Sequence, residues 1–253
     1  MTQWIVAGLR RCKSRNCHVV DDFRVAFFTA LGLLIGLDRD LLAIVRLSLA
    51  VSLSAVGLAT VLGLPLGAAV AVWRFPGQAM VCLFLNALMG LPPVVVGLVV
   101  YLLLSRAGPL GTLGLLFTPT AMVIAQCLLV TPIIAAFTRQ TVADLHEEYA
   151  EQLRSLGVGP GRALWTLLWD GRFSLLTGIL AGFGRASAEV GAVIIVGGNM
   201  HRVTRVVTTT IALETSKGNL PLALALGMIL MLLVLAVNAT AMVIQDTARR
   251  VYG

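Results

Sequence analysis

The chain has 253 residues, of which 58% are hydrophobic and only 12% are charged, and its mean hydropathy is +0.93. A soluble domain is usually about 45–50% apolar and about 25% charged, so this composition excludes an ordinary soluble protein. The net charge of +7 is attributed to arginines that anchor loops in the cytoplasm. No nucleic-acid partner is expected, because no soluble domain carries clustered basic residues.

The N-terminal segment, residues 1–40, is predicted to be separate from the rest. It is basic as far as Arg24, and the apolar run Val25–Leu37 that follows is shorter than the roughly 20 residues that cross a bilayer. A short interfacial helix is therefore favoured over a cleaved signal peptide. Two topologies remain. If Val25–Leu37 crosses the membrane, the basic N-terminus lies in the cytoplasm. If it does not cross, the N-terminus lies outside the cell, and this second topology is favoured.

The cysteines and histidines do not predict a metal site. Cys12, Cys17 and His18 lie close together, but their spacing fits neither a zinc pair nor a haem attachment site. Cys82 and Cys127 lie inside apolar runs, where cysteines usually pack as small hydrophobic residues. No metal and no bound cofactor are expected.

Residues 41–245 are predicted to form an all-α transmembrane domain of a polytopic membrane protein, followed by a C-terminal tail at 246–253. The apolar runs are long enough to cross a bilayer as helices. The five predicted spans are about 42–72, 80–104, 119–137, 173–196 and 221–244.

Small residues and prolines predict local features of the first three spans. Gly63–Gly67 has the GxxxG spacing that lets helices approach closely. Pro92–Pro93 removes two backbone donors from the second span, so a kink or a break is expected there. Thr118–Pro119 is typical of a helix cap and first helical residue, and it predicts the start of the third span.

A charged island at residues 139–172 separates the third and fourth spans. Asp144–Glu147 is typical of a capping box that opens a helix, Gly157 would end that helix, and a second helix is expected at Arg162–Trp169. Four apolar residues recur on one face of the first helix, and charged residues fall on the other. The apolar residues are Leu145, Tyr149, Leu153 and Leu156. The pattern alone fits either a solvated hairpin without a partner or a docking element.

The arginines of the island predict that it lies in the cytoplasm. They are Arg139, Arg154, Arg162 and Arg172. The same topology places the loops at 105–117 and 197–219 outside the cell.

Arg185 and Glu189 form a charged pair near the middle of the fourth span. Charges inside a membrane are costly and usually face the bundle interior or water, and a separation of four residues lets the two offset each other. The pair therefore either locks helix packing or lies beside a translocation path, where it could exchange partners between states. Gly191 and two further glycines nearby would permit close helix contact and a hinge.

The island resembles the cytoplasmic docking loop of ABC importer permeases. Glu151 stands six residues before Gly157, as in that loop, and Leu167 occupies the position of a further apolar residue. Gln152–Leu153 and Trp169–Asp170 depart from the family pattern. By this resemblance, the residues that couple the chain to an ATPase are Glu151, Leu153, Leu156, Gly157 and Gly159.

Motifs elsewhere extend the resemblance to about residues 42–245, and to permeases for molybdate and tungstate. They are Leu91–Gly97, Gly108–Gly111, Phe117–Pro119, Gly184–Gly191 and Gly197–Asn199, in the order found in that family. The stretch from Asn199 to Gly218 is most similar to the tungstate branch. The resemblance implies the type I ABC permease fold and the import of a tetrahedral oxyanion, tungstate in particular, with molybdate or sulfate as alternatives.

The resemblance also implies an assembly in the cell membrane of a prokaryote. It would comprise a homodimer of this multi-pass chain, two cytoplasmic ATPase subunits and an extracytoplasmic binding protein. The chain has no Walker A sequence, so it would be no enzyme, and ATP would be bound and hydrolysed by the ATPase subunits. The alternative from a different class, a secondary transporter, should show an internal repeat, and the sequence shows none.

An oxyanion path requires hydrogen-bond donors without a deep positive well, because a tight site would trap the ion. Hydroxyls, amides and helix N-termini suit this need. The residues expected at the path or its gate are Arg185, Ser187, Glu189, Gly191, Asn199 and Thr208, and Thr204, Thr209 and Thr210 supply further hydroxyls.

Overall fold

The computed structural model describes Gly32, residues 39–73 and residues 75–252. Apart from Gly32, the predicted interfacial helix at 25–37 lies outside these residues, as do Cys12, Cys17 and His18. Within the described residues the protein is all-α, as predicted, with no strand. The same residues contain no cluster of histidine, cysteine, aspartate and glutamate side chains that could hold a metal ion.

Long helices alternate with short ones along the chain. In order they are α1 (Arg39–Val72), α2 (Gln78–Met89), α3 (Pro93–Leu104), α4 (Pro119–Glu148), α5 (Ala150–Ser155), α6 (Pro160–Asp170), α7 (Arg172–Ser187), α8 (Gly191–Gly197), α9 (Val207–Ser216) and α10 (Leu220–Tyr252). Helices α1, α4 and α10 are each long and apolar enough to cross a membrane, whereas α2–α3 and α7–α8 are pairs bent by 97° and 58°. The five predicted spans thus correspond to three continuous helices and two bent pairs.

Helix α4 is the centre of the bundle. Inside the protomer, 61% of its apolar stretch is buried, against 22% for α1 and for α10. Helix α1 approaches it closely: a Cβ added to Gly63 would lie 3.0 Å from Ile134, and one added to Gly67 would collide with the carbonyl oxygen of Ala135. The close contact predicted at Gly63–Gly67 is confirmed, and α4 is the partner.

The parallel course of α1 and α4 gives the bundle two distinct ends. Val51 packs beside Met122 near the start of α4, whereas Val72 packs beside Val142 towards its end. We call the end that carries α5 and α6 the island end. The N-terminus of α1 and the turn between α8 and α9, which are joined by a hydrogen bond, form the opposite end, which we call the mouth end.

Two local predictions about helix boundaries are confirmed. The Thr118 hydroxyl accepts a hydrogen bond from the Ala121 N–H at 3.4 Å, and Pro119 is the first residue of α4. The expected break at Pro92–Pro93 is present, because α2 ends at Met89 and α3 begins at a sharp angle to it.

The predicted helix start at Asp144–Glu147 is wrong. Helix α4 continues through this stretch to Glu148, so the third span extends well beyond the predicted 119–137. Asp144 accepts a hydrogen bond from Gln140 Nε2 at 3.3 Å instead of capping a backbone amide. The helix continues because Val142 is fully buried against α1 and α6, and no glycine or proline interrupts the chain there.

Two predictions in the C-terminal half are also corrected. The fourth span, predicted as one helix at 173–196, breaks after Ser187, because the Glu189 carboxylate caps the start of a separate helix, α8. The stretch 197–219, predicted as an outer loop, contains α9. That helix forms because Val207 is buried against α1 and α10, where a solvated loop would leave it exposed.

Candidate functional site

One apolar face anchors the island to the bundle. Leu167 of α6 is buried between α1 and α4, and Leu145, Tyr149 and Leu153 pack around it. Leu156, predicted for the same face, instead has 76% of its surface exposed. The reason is that α5 already ends at Ser155, so Leu156 no longer follows the helical pattern.

The turn between α5 and α6 depends on Gly157. Its φ is +64°, in the left-handed region that glycine enters at little cost. The Val158 N–H donates to the Leu153 carbonyl at 3.0 Å, which is the bond that closes a Schellman motif. Helix α6 then begins at Pro160, directly after Gly159. The turn therefore has a fixed geometry.

Polar and cation–π contacts fix the end of α6. The Asp170 carboxylate accepts a hydrogen bond from the Tyr149 hydroxyl, and this bond, with the carboxylate charge, raises the pKa of the phenol. The Arg172 guanidinium lies 5.0 Å from the ring centroid of Trp169 and 4.7 Å from that of Phe173. These contacts tie the end of α4 to α6 and α6 to α7.

Beyond this anchor, the island exposes a mixed surface. Glu151 in the first turn of α5 and Leu156 just after its last residue are exposed, and Trp165 and Trp169 are exposed on α6. Exposed tryptophans beside a charged turn are typical of a surface that meets either another protein or the membrane interface. The arrangement is a rigid platform that projects from the bundle.

Glu189 lies at the break between α7 and α8 and joins three elements. One carboxylate oxygen accepts a hydrogen bond from Arg185 Nη1 at 2.7 Å, and the other accepts the N–H of Ala192 at 3.0 Å. Its backbone carbonyl accepts the Thr208 hydroxyl at 3.0 Å. The Glu189 side chain is 3% exposed and the Arg185 side chain 34%. The predicted ion pair is present, and its exchange of partners stays a prediction.

The two bent pairs touch each other at this break. A Cβ added to Gly191 would lie 3.1 Å from the Val94 side chain near the start of α3. One added to Gly97 would lie only 2.8 Å from the Cα of Ala192. Because the two backbones are packed without intervening side chains, a change of angle in one pair must displace the other.

Ser187 and Thr208 line a small cavity beside the break. The cavity measures about 20 Å³, and its walls include Ser48, Ser52 and Gln126. The Gln126 amide donates to a carbonyl of α7 at 3.2 Å, whereas its buried Oε1 has no hydrogen-bond partner among the described residues. A cavity of this size suits about one water molecule and is too small for a tetrahedral oxyanion.

Most threonines predicted as donors at the mouth end are engaged by the backbone. Thr204 donates to a carbonyl at the end of α8 at 2.6 Å, and Thr209 and Thr210 donate to the Val206 carbonyl. Each hydroxyl has one hydrogen, so these side chains fix the turn and the start of α9. Asn199 differs, because its Oδ1 has no partner among the described residues and its φ is +48°. The place of these residues on a path stays a prediction.

A cavity of about 610 Å³ at the mouth end is not predicted by the sequence. It lies between the start of α1 and the turn before α9. The charged and titratable residues that line it are Arg39, Asp40, Arg46, His201, Arg202 and Arg205. Local sequence could show only that Arg39 and Arg46 share one helix face. The two halves of the cavity are far apart in the chain, since Asp40 and Arg202 are separated by 162 residues.

The known proteins that match this chain are membrane components of transport systems. The family model described as binding-protein-dependent transport system inner membrane component matches residues 63–250. The tungstate uptake system permease protein TupB of Peptoclostridium acidaminophilum is 39% identical over 90% of this chain and 99% of its own length. A probable anion ABC transporter permease protein of Haloferax volcanii is 42% identical over 79% of this chain and 88% of its own length.

A more distant relative is the sulfate transport system permease protein CysW of Synechocystis sp., which is 30% identical over 83% of this chain and 76% of its own length. The family match covers the island, the break and α9, and it accords with the membrane-length helices. The chain therefore belongs to the family of inner-membrane components of binding-protein-dependent transport systems, the ABC permeases that work with an ATPase and a substrate-binding protein.

Proposed function

We propose that this chain is the permease of an ATP-driven importer for tungstate. The observation that supports the proposal is similarity over 90% of this chain to a tungstate permease, whereas the sulfate permease is less similar and is covered less completely. Molybdate and sulfate are the alternative cargoes, since all three ions are tetrahedral dianions. The proposed complex contains two copies of this chain, two ATPase subunits that bind the ATP, and a binding protein outside the membrane.

The island end faces the cytoplasm in this proposal, and the ATPase docks on the α5–α6 turn. Glu151, Leu156 and the left-handed Gly157 present the contact, with Leu153 anchoring α5 from behind and Gly159 leading into α6. The burial of the α6 anchor between α1 and α4 supports a mechanical role. A displacement of the turn would move both helices, because the platform cannot shift without them.

The break between α7 and α8 is the proposed gate. Glu189 keeps its bond to the start of α8, while Arg185, which reaches the surface, exchanges the carboxylate for another acceptor. Gly191 carries the motion to α3 through its close contact. Ser187, Asn199 and Thr208 provide polar groups around the gate and beyond it.

Cellular metal content tests the cargo. A strain that lacks this chain is grown with tungstate, molybdate or both, and its tungsten, molybdenum and sulfur contents are measured by mass spectrometry. We expect tungsten accumulation alone to be lost, and to return when the chain is expressed again. Unchanged tungsten together with lost molybdenum or sulfate uptake would reject tungstate and leave the importer in place.

A further inference from the structure

The cavity at the mouth end is strongly positive. Among the described residues that line it are four arginines and one aspartate, which together, leaving His201 aside, carry a net charge of +3. Arg202 forms an ion pair with Asp40 at 3.3 Å. Glu214 forms an ion pair with Lys217 at 2.7 Å, and it also interacts electrostatically with Arg205. Among the described residues, Asp40 offsets one of the four arginines and Glu214 is paired with Lys217, so the lining of the cavity keeps a net positive charge.

The position of these arginines runs against the rule that governs membrane topology. Arginines near membrane ends collect on the cytoplasmic side. With the island end in the cytoplasm, as proposed above, Arg39 and Arg46 of α1 lie at the outer end together with Arg202 and Arg205. Because these four arginines oppose correct insertion, their presence at the outer end requires another explanation.

The geometry of the cavity suits the passage of an anion and does not suit tight binding of it. At about 610 Å³ it is much larger than a tetrahedral oxyanion, and the Arg202 and Asp40 side chains are 74% and 55% exposed. The Nε of Arg205 is buried and has no hydrogen-bond partner among the described residues. A wide and positive space attracts an anion without enclosing it, so the anion can move on from the cavity.

We infer that this arginine-lined cavity is a vestibule that takes up the tetrahedral dianion released by the binding protein and raises its concentration at the outer entrance. The inference rests on the proposed function, since it assumes an anionic cargo that enters from the mouth end. Phosphate headgroups of anionic lipids share the chemistry of the cargo, so the test separates the two sources. An acidic surface of the binding protein is the other occupant that the test must reject.

The test uses the complete transporter in liposomes, with loaded binding protein supplied at the mouth end and tungstate uptake measured by mass spectrometry. Arg46→Gln and Arg205→Gln each remove one lining charge, Arg46→Lys keeps it, and Arg106→Gln is the matched control. Arg106 is exposed in the loop before α4, at the same end, but does not line the cavity. The yield of assembled complex and its melting temperature establish that every variant is folded.

We expect each neutralising variant to lower the rate of uptake about fourfold to sixfold at low ionic strength, which corresponds to removing one charge about 8 Å from a dianion in water. The loss should shrink in about 1 M salt, where charges are screened beyond about 3 Å. Arg46→Lys and Arg106→Gln should keep the rate of the wild type. Equal rates in all variants would overturn the vestibule while leaving the importer intact.

Further measurements separate the sources of the effect. If the neutralising variants bind the loaded binding protein more weakly by the same factor, the arginines serve that protein contact and the vestibule is rejected. If the loss appears in liposomes that contain phosphatidylglycerol but not in pure phosphatidylcholine, the cavity holds lipid and the inference is again rejected. If the wild type imports molybdate or sulfate instead, the tungstate assignment fails and the same variants test the vestibule with that ion. If it imports none of them, both proposals fail.

Discussion

At the scale of single residues, the two oxygens of Glu189 have separate roles. One oxygen holds Arg185, and the other holds the first turn of α8 through Ala192. The partners are not equivalent, because the carboxylate is buried while the guanidinium reaches the surface. Loss of the arginine strands a charge inside the protein, whereas loss of the carboxylate charge leaves a guanidinium that is partly exposed at the surface of the protomer.

We therefore expect Arg185→Ala to be more damaging than Glu189→Gln. A buried carboxylate without its counter-ion costs about 2–4 kcal/mol after allowance for the partial exposure of the pair. The glutamine variant should cost about 1–2 kcal/mol, because its amide oxygen can still accept the Ala192 N–H. Thermal unfolding of the purified protein in detergent measures both. Equal destabilisation would contradict the asymmetry.

A charge swap is an informative companion to these two variants. Arg185→Glu combined with Glu189→Arg restores an ion pair but places a side chain without any acceptor at the start of α8. We expect the swap to remain less stable than the wild type, because the Ala192 N–H loses its partner. Full recovery of the melting temperature would show that pairing alone matters.

Gly157 provides a second test at the residue scale. Gly157→Ala adds a methyl group in open space, so the cost is backbone strain of about 1 kcal/mol at a φ of +64°. Gly161→Ala, in the first turn of α6 and also in open space, adds the same methyl without a left-handed backbone and is the matched control. We expect only Gly157→Ala to reduce the amount of ATPase that co-purifies with the permease. Equal recovery from the two variants would remove the turn from the docking surface.

At the scale of elements, the contact between α1 and α4 organises the bundle, and it depends on a missing side chain. Gly67→Ala would drive a methyl group into the Ala135 carbonyl of the central helix. We expect a loss of about 1–3 kcal/mol, or failure to fold, because the backbones must separate. Gly57→Ala lies on the same helix in open space and should be neutral or slightly stabilising. Thermal unfolding compares the two variants, and equal melting temperatures would contradict the close contact between α1 and α4.

The sequence predicted correctly those features that depend only on neighbouring residues in the chain. Thr118–Pro119 sets its own helix start, and the glycine spacing at Gly63–Gly67 marks a close contact. The helix start predicted from the capping box at Asp144–Glu147 was wrong, because α4 continues through this stretch and buries apolar residues on both sides of Asp144. The break at Glu189 and the arginine cavity were missed or misplaced because their partners come from distant parts of the chain.

At the scale of the whole molecule, α4 connects the two ends. It begins beside the turn that follows α8 and continues unbroken into the island, with α1 parallel to it. A force applied at the α5–α6 turn can therefore reach the mouth end through a single buried helix. This continuity requires that the two ends lie on opposite sides of the membrane.

Accessibility to a membrane-impermeant maleimide tests that arrangement. In a variant without the four native cysteines, Leu156→Cys should react only from the cytoplasmic side, and Met200→Cys only from the outer side. Both parent side chains are exposed, so the label can reach either position without unfolding the protein. Intact cells and inside-out vesicles present the two sides separately. Reaction of both positions from one side would contradict the assigned orientation.

The arginines at the mouth end also have a consequence for biogenesis. With the island end in the cytoplasm, as proposed above, Arg39 and Arg46 cross the membrane during insertion against the potential that normally retains positive charge inside, so each guanidinium should slow the arrival of α1 in its final orientation. Neutralising Arg46 should therefore increase the yield of inserted protein while it lowers the turnover of each molecule. In the proposed vestibule, synthesis and transport therefore place opposite demands on the Arg46 side chain.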